Sequence, residues 1–298
     1  MIHTGEIAAL GTALMWTLSV QAWTSAGRRI GSLPAGFLRL LLAWVFLACY
    51  GLAVRGRPLP TDADARTWMV LGASGFVGFF LADMFIFRAL VLVGPRLATL
   101  CLSLTPPMAA VVSWAFLGEA LALRDWLAMG VTIAGVTWVV LERPDAAGAP
   151  PRRHYVTGIV LGVLGAAAAA GGVVLAREGI GDYDAVAATF IRAIAGAAGY
   201  AVLFTVARRW KTIPPALRHR RAMGIVVYGT FVGTFLGVIF YMVAVRHCLA
   251  GVVATIISTV PVLILPFAIV IYREKVSIRA AAGAVLAVAG VAWLVLGS

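Results

Sequence analysis

The sequence predicts an all-α integral membrane protein: ten transmembrane helices arranged as two inverted five-helix repeats around a central cavity. Three observations predict this fold: an apolar composition, ten long hydrophobic runs, and a match between the two halves of the chain. Of the 298 residues, 62% are hydrophobic and 12% are charged, and the mean hydropathy is +0.99. Soluble domains carry about 45–50% apolar and about 25% charged residues. The chain therefore has too few polar residues to cover a soluble core.

Each predicted span is an apolar run long enough to cross about 30 Å of hydrocarbon, which takes about 20 helical residues. The runs lie at about 5–26, 34–54, 67–87, 97–117, 125–141, 155–176, 185–207, 222–245, 250–272 and 278–297. They lack the alternation typical of a membrane β-barrel. The first run carries Glu6 and lacks a basic leader, so we interpret it as a span and not as a cleaved signal peptide.

Spans one and two each hold a polar residue within an apolar run. Gln21 in span one and Trp16 nearby are candidates for contact with a substrate in the cavity, with ordinary packing as the alternative. Arg39 lies about five residues into span two. A charge near the bilayer centre costs about 2.5–3.5 kcal/mol on insertion scales, so Arg39 needs a partner or a wet cavity.

Span three holds Asp83, which alone among the twelve acidic residues lies deep inside an apolar run. Loops 1 and 3 share one face of the membrane, so Asp83 and Arg39 lie at similar depth and we predict an ion pair. Arg88 is the competing partner, but its spacing of five residues is worse than the three or four that bring helical side chains together. The pair could gate the pore, bind a zwitterion or carry a coupling proton. A purely structural salt bridge is the alternative.

Prolines interrupt spans four and nine. Pro106 and Pro107 lie inside span four, and Pro261 lies inside span nine. Proline removes a backbone donor and disturbs the preceding turn, and such breaks often line cavities in membrane proteins. We predict hinges or cavity walls at these positions, with a tolerated kink as the alternative.

Glycines in spans three and eight predict close helix packing. They form the patterns "GASGFVG" at 72–78 and "GTFVGTFLG" at 229–237. Small residues at such spacing let helix backbones approach closely. We expect a structural role for both patterns.

The two halves of the chain match each other across a Pro-rich linker. Residues 1–143 form a first five-helix repeat, 144–153 the linker and 154–298 a second repeat. Residues 117–141 align without gaps to 272–296. The matched pairs include Pro106 with Pro261, Gly135 with Gly290, Glu119 with Glu274, Arg39 with Arg192, and Asp83 with Tyr241. Five is an odd number of spans, so the second repeat enters the membrane inverted, as in many secondary transporters.

The mid-span prolines, the acids in "LGEALAL" and "YREKVSI", and the closing "AGVTWVVL" and "AGVAWLVL" resemble the two EamA domains of the drug/metabolite transporter superfamily. The resemblance covers nearly the whole chain. It implies a ten-helix permease that moves small metabolites such as amino acids through a central cavity.

The predicted function is therefore secondary transport by alternating access, with a lipid or lipid-linked flippase on the same scaffold as the alternative. Arg192 and Tyr241 join Asp83 and Arg39 as candidates for substrate binding, gating or proton coupling. We expect a multi-pass protein of the inner (plasma) membrane whose partners are a small-molecule substrate and the lipid bilayer. We expect no enzymatic activity, cofactor, metal or nucleic acid, because no nucleotide-binding or catalytic motif is found. Monomer and homodimer both remain open.

Loop charges and the family resemblance predict opposite orientations. The odd-numbered loops carry sixteen Lys and Arg residues, and the even-numbered loops with the termini carry six. The positive-inside rule then places both termini outside the cell, whereas the resemblance implies that both lie inside.

Overall fold

The computed structural model describes residues 4–118, 120–141, 151–247, 250–272 and 277–297, and all regular structure within them is helical. Helix is the expected form of an apolar chain in lipid, because it satisfies its own backbone N–H and C=O groups. By length and composition, seven helices in the described ranges can cross a membrane. They are Ser32–Arg55, Ala65–Leu102, Leu123–Leu141, Arg152–Ile180, Ala185–Val206, Arg220–Tyr241 and Ile278–Leu296.

The first half contains six α-helices and one π-helix among its described residues. They are α1 (Thr4–Ile30), α2 (Ser32–Arg55), α3 (Ala65–Gly75), the first π-helix (Phe76–Leu81), α4 (Ala82–Leu102), α5 (Thr105–Leu117) and α6 (Leu123–Leu141). Gly31, with a φ of 91°, makes the one-residue turn between α1 and α2. Asp64 caps α3 by accepting a 2.9 Å hydrogen bond from the Thr67 N–H.

The second half contains eight α-helices, one π-helix and a short 3₁₀-helix (Trp210–Thr212) among its described residues. Its helices are α7 (Arg152–Ile180), α8 (Ala185–Val206), α9 (Ile213–Arg218), α10 (Arg220–Gly229), the second π-helix (Thr230–Leu236), α11 (Gly237–His247), α12 (Ala250–Ile257), α13 (Val260–Tyr272) and α14 (Ile278–Gly297). The short α9 lies where the sequence predicted only a loop, and Pro214 and Pro215 stand in its first turn, where proline is well tolerated.

Gly94 divides α4 into two arms that fold back on each other. Its φ of 80° and ψ of 171° are not helical. A Cβ on Gly162 of α7 would lie 2.9 Å from Cys101 Sγ and 4.0 Å from Ala89 Cβ. In a straight helix residues 89 and 101 would be about 18 Å apart. The connection between predicted spans three and four is thus a single glycine, shorter than the loop that the sequence predicted.

The helices that hold the mid-span prolines are broken at equivalent places in the two halves. Ser103 and Leu104 form a turn between α4 and α5, and residues 258–259 form one between α12 and α13. Pro106 and Pro261 stand in the first turn of the helix after each break, where their missing N–H is not needed. The predicted interruptions are therefore present.

The predicted glycine patterns mark close helix contacts, with one exception. Gly229, Gly233 and Gly237 lie along α1, against Trp23, Ser19 and Trp16. Gly75 and Gly78 lie against α8 and α7. Gly72 has no neighbour within 4 Å, so its expected packing role is wrong.

The last helices of the two halves pack on each other through repeat-matched glycines. A Cβ on Gly135 of α6 would overlap the Ala287 N and would lie 2.7 Å from the Gly283 O, both on α14. A Cβ on Gly290 of α14 would overlap the backbone of Thr132 on α6. The α6–α14 contact therefore depends on glycine on both sides.

One face of the molecule holds a polar contact between the halves. Asp62, between α2 and α3, accepts a 2.5 Å hydrogen bond from Arg55 Nη2 and a 2.9 Å hydrogen bond from the Tyr183 hydroxyl. Tyr183 lies between α7 and α8, and the Arg55 guanidinium lies 5.4 Å from its ring centroid. We call Arg55, Asp62 and Tyr183 the inter-repeat clasp.

Several sequence predictions fall outside the described residues. They are Glu119 and Glu274 of the matched motifs and most of the linker at 144–153.

Candidate functional site

An ion pair between α2 and α4 forms the centre of the candidate site. Arg39 Nη2 donates to Asp83 Oδ2, and Arg39 Nη1 lies 3.5 Å from Thr234 Oγ1 in the second π-helix. The side chains are 8% and 18% exposed, respectively. The predicted pairing of Arg39 with Asp83 is present, and residues of both halves contact it.

The first π-helix sets the direction of Asp83. Asp83 is the second residue of α4, directly after the wider π turns of Phe76–Leu81. A π-helix forms its hydrogen bonds to the fifth residue, so it shifts the angular register of all that follows, and such segments are frequent at functional sites. The second π-helix, which supplies Thr234, occupies the corresponding place in the second half.

Aromatic rings surround the Arg39 guanidinium. Its central carbon lies 5.0 Å from the Trp23 ring centroid, 5.7 Å from that of Phe79 and 5.9 Å from that of Phe87. The negative faces of aromatic rings attract cations, most strongly where water is excluded. The rings thus stabilise a charge that a single carboxylate only partly satisfies.

Arg192 of α8 brings a second guanidinium to the same carboxylate. It lies close enough to Asp83 for a direct electrostatic interaction, and its central carbon lies 4.4 Å from the Phe79 ring centroid. Its Nε is buried without a hydrogen-bond partner. Among the described residues, none accepts a hydrogen bond from Arg192. The two repeat-matched arginines therefore meet at the Phe79 ring next to the Arg39–Asp83 pair, a convergence that the sequence did not predict.

Tyr200 of α8 adds a polar group that the sequence analysis missed. The side chain is fully buried, packs against Phe80 at 5.1 Å between ring centroids, and lies against Gly36 of α2. Its hydroxyl has no hydrogen-bond partner within the described part of the chain. A tyrosine within the apolar span at 185–207 is the signal that could have found it.

Tyr241, the repeat-mate of Asp83, lies in a different contact. It stacks on Trp16 of α1 with 6.4 Å between ring centroids, and Trp16 Nε1 donates a 3.2 Å hydrogen bond to the Gly233 C=O. Trp16 thus joins α1 to the second π-helix. The structure brings these two candidates together with each other and not with the ion pair.

Gln21 of α1 borders a separate cavity of about 570 Å³. Arg28, Arg29, Tyr228 and Phe267 also line this cavity. Both polar atoms of the Gln21 amide are buried without a partner in the described residues. A contact of Gln21 with a polar group in this cavity remains a prediction.

The helix break before Pro106 and Pro107 leaves polar atoms unsatisfied, whereas at the break before Pro261 the Ser258 and Thr259 hydroxyls donate to backbone carbonyls. Near the first break the hydroxyls of Ser103 and Thr105 are buried without a partner in the part of the chain that the structure describes. Polar groups of this kind are tolerated at membrane depth where they are buried in protein or line a cavity. The hinge role of the prolines remains a prediction.

Arg88, the competing partner for Asp83, points elsewhere. It is exposed and lines a surface cavity of about 500 Å³ with Arg209 and Thr212. Within the described ranges no three His, Cys, Asp or Glu side chains lie close enough to hold a metal ion.

Comparisons with known proteins agree with the repeat. The sequence profile of the EamA-like transporter family matches residues 3–141 and again 156–296. A solved structure described only as "Crystal structure of protein" superposes with a TM-score of 0.66 over 99% of this chain and 98% of its own, at 20% sequence identity, which supports the fold alone. A search of curated proteins found no significant match. Because the profile covers nearly the whole chain in two copies, the protein belongs to the EamA-like transporter family and is a multi-pass membrane transporter of small molecules.

Proposed function

We propose that this transporter works by alternating access in the inner (plasma) membrane, with the Arg39–Asp83 pair as a gate between its two repeats. The observation that carries the proposal is that a buried ion pair on α2 and α4 is contacted by Thr234 and approached by Arg192, both from the second repeat. A rearrangement of the repeats against each other would change these contacts. The ion pair therefore lies where its contacts can differ between the state open to one side of the membrane and the state open to the other.

Ten spans in two inverted sets of five are the arrangement that we propose. The division of α4 at Gly94 supports spans three and four as separate crossings. Joining α10 to α11 and α12 to α13 supports one crossing each for spans eight and nine. Five crossings per repeat invert the second repeat relative to the first, so that exchange of their conformations opens a central site to either side.

Amino acids or related metabolites are the substrates that we propose. The site offers charges of both signs beside aromatic surfaces, which suits a small charged solute with an apolar part. The broken helices at Pro106 and Pro261 supply places where each repeat can bend. A flippase would move a lipid headgroup through the same scaffold, and the test below separates the two.

The test is uptake by purified protein in liposomes under an imposed pH gradient. A screen of labelled amino acids and related metabolites is expected to yield a transported solute. Asp83→Asn is expected to lower the rate at least about tenfold, because breaking a buried ion pair costs several kcal/mol and about 1.4 kcal/mol is tenfold. Asp182→Asn, which alters an exposed loop carboxylate, serves as the control.

Full uptake by correctly folded Asp83→Asn contradicts a gating or binding role. Proton-driven uptake that persists in this variant excludes Asp83 as the proton carrier. Translocation of lipid analogues without uptake of any soluble solute supports the flippase and overturns the proposal.

A further inference from the structure

The charges of the candidate site do not balance. Two guanidiniums, Arg39 and Arg192, lie over the same Phe79 ring, at 5.7 Å and 4.4 Å from its centroid, and Arg39 pairs with the Asp83 carboxylate. Asp83 Oδ2 is engaged by Arg39, so Arg192 is left with the Phe79 ring as its close contact. Counted over the described residues, the site therefore carries one positive charge in excess.

An excess positive charge at membrane depth is costly unless something neutralises it. Intramembrane charges pair with each other or with backbone carbonyls, or they face a pathway. In the described residues Arg192 makes no hydrogen bond, and its Nε is buried. Stacking on Phe79 recovers part of the cost, since the negative face of an aromatic ring attracts a cation. The remaining donors of the guanidinium therefore have no acceptor among the described residues and call for one from outside them.

Arg192 and Asp83 keep part of their surface accessible to such an acceptor. Arg192 is only partly buried, and the Asp83 side chain keeps 18% of its surface exposed. Gly78 lies beside the guanidinium, and a Cβ there would come within 3.3 Å of Arg192 Nη2. Gly172 faces Gly78 across the helix contact. A side chain at position 78 would press on both the Gly172 backbone and the Arg192 guanidinium, so glycine lets the two helices and the charged head pack closely.

We infer that Arg192 binds the carboxylate of the transported solute. The inference rests on the proposed transport function and adds the substrate class: a small solute that carries one carboxylate and an apolar part. A carboxylate accepts two parallel hydrogen bonds from a guanidinium and cancels the excess charge. Phe79 and Trp23 provide aromatic surface for the apolar part. A free organic acid and an amino acid both supply this chemistry.

Four ligands that share a phenyl group test the inference by thermal shift on the purified full-length protein. 3-Phenylpropionate and phenylalanine carry the carboxylate, whereas 3-phenylpropionamide and phenethylamine do not. A bound ligand raises the apparent stability by mass action. We expect the carboxylates to stabilise the wild-type protein and to bind at least about tenfold more tightly than the amide or amine, as is usual for hydrogen bonds to charged groups. Tighter binding of phenylalanine than of 3-phenylpropionate indicates that the ammonium contributes as well.

The variant Arg192→Gln is expected to abolish the preference for the carboxylate over the amide, and Arg192→Lys to retain most of it. Arg88→Gln, at an exposed arginine outside the site, is the control and should change nothing. A structural role for Arg192 would lower stability in Arg192→Gln without changing the carboxylate preference. That result, or equal binding of acid and amide by the wild-type protein, overturns the inference. The wild-type comparison holds even where Arg192→Gln fails to fold.

The inference and the transport proposal fail in different ways. If the protein takes up a neutral or cationic solute and Arg192→Gln does not change this uptake, the transport proposal stands and carboxylate binding by Arg192 is contradicted. Carboxylate binding without uptake of any solute leaves the site intact and contradicts transport.

Discussion

Arg192 is positioned by backbone packing more than by polar contacts. Gly75 of α3 lies directly against the backbone of Arg192 on α8, and a Cβ at Gly75 would overlap the Arg192 carbonyl. The guanidinium has no acceptor within the described ranges. The closeness of α3 and α8 therefore decides where this charge stands relative to Asp83.

The substitution Gly75→Ala is expected to push α8 away from α3 and to move Arg192 from its place beside Asp83. Overpacking of a tight contact typically costs about 1–3 kcal/mol. We expect a lower midpoint of thermal unfolding and weaker substrate binding. Gly72→Ala, on the same helix with no neighbour within 4 Å, is the matched control. It should be neutral or slightly stabilising, because alanine favours helix over glycine by about 0.5–1 kcal/mol. Equal effects of the two substitutions would contradict the packing argument.

The helix pair α6 and α14 joins the ends of the two repeats. Gly135 and Gly290 occupy matched positions in the repeat alignment, and each allows the backbone of the other helix to approach. Such close approach maximises van der Waals contact, which drives helix association in lipid. We call the α6–α14 contact the seam; bending at the helix breaks at 103–104 and 258–259 remains a prediction.

We expect Gly135→Ala to weaken this seam. The added methyl group would overlap Ala287 and Gly283 of α14, at a cost of about 1–3 kcal/mol. Thermal unfolding of the detergent-solubilised protein measures the loss. Gly130→Ala on the same helix is the control, because nothing lies within 4 Å of its Cβ position. If Gly130→Ala and Gly135→Ala shift the unfolding midpoint equally, packing between α6 and α14 does not explain the loss of stability.

The molecule as a whole holds its repeats together at one face through the inter-repeat clasp. The hydrogen bond from Tyr183 holds the pKa of the Asp62 carboxyl below its usual value of 3.8. Burial and the bond to Asp62 raise the pKa of Tyr183. A carboxyl with a lowered pKa contributes stability above its usual pKa and loses it as the pH falls through the lowered value. The clasp is therefore intact at neutral pH and weakens below about pH 4.

Tyr183→Phe removes the hydroxyl that links the repeats and is expected to open this face of the protein. Spin labels at positions 66 and 182, in a background without Cys49, Cys101 and Cys248, would report a longer mean distance in the variant. In the protein with an unsubstituted clasp, the mean distance between the labels should increase only in strong acid. Tyr228→Phe, at an exposed tyrosine outside the clasp, should leave the distance unchanged. An unchanged distance in Tyr183→Phe contradicts a role for the clasp in holding the repeats together.

Individual residues show how far sequence reasoning reached. The pairing of Arg39 with Asp83 was predictable, because two opposite charges at one depth in lipid have few other partners. Gly75 and Gly78 were recognisable as packing positions, but no other helix lies within 4 Å of a Cβ placed on Gly72 in the same pattern. The position of Tyr241 on Trp16, away from Arg192, could not be deduced, since repeat alignment matches places in a helix and not neighbours in space.

Composition and apolar runs were sufficient to predict a helical membrane protein, because lipid permits few backbone forms. The internal match and the motifs that resemble EamA domains were sufficient to predict two EamA repeats, because repeated halves keep similar residues at matched positions. Tertiary structure alone decided that both repeat-related arginines come together at the Phe79 ring beside Asp83. Three features that depend on helix rotation and register were responsible. They are the π-helix before Asp83, the missing side chain at Gly75 and the chain reversal at Gly94. A charge can be assigned a depth from its place along a span, but its neighbours are set by how the helices rotate and pack.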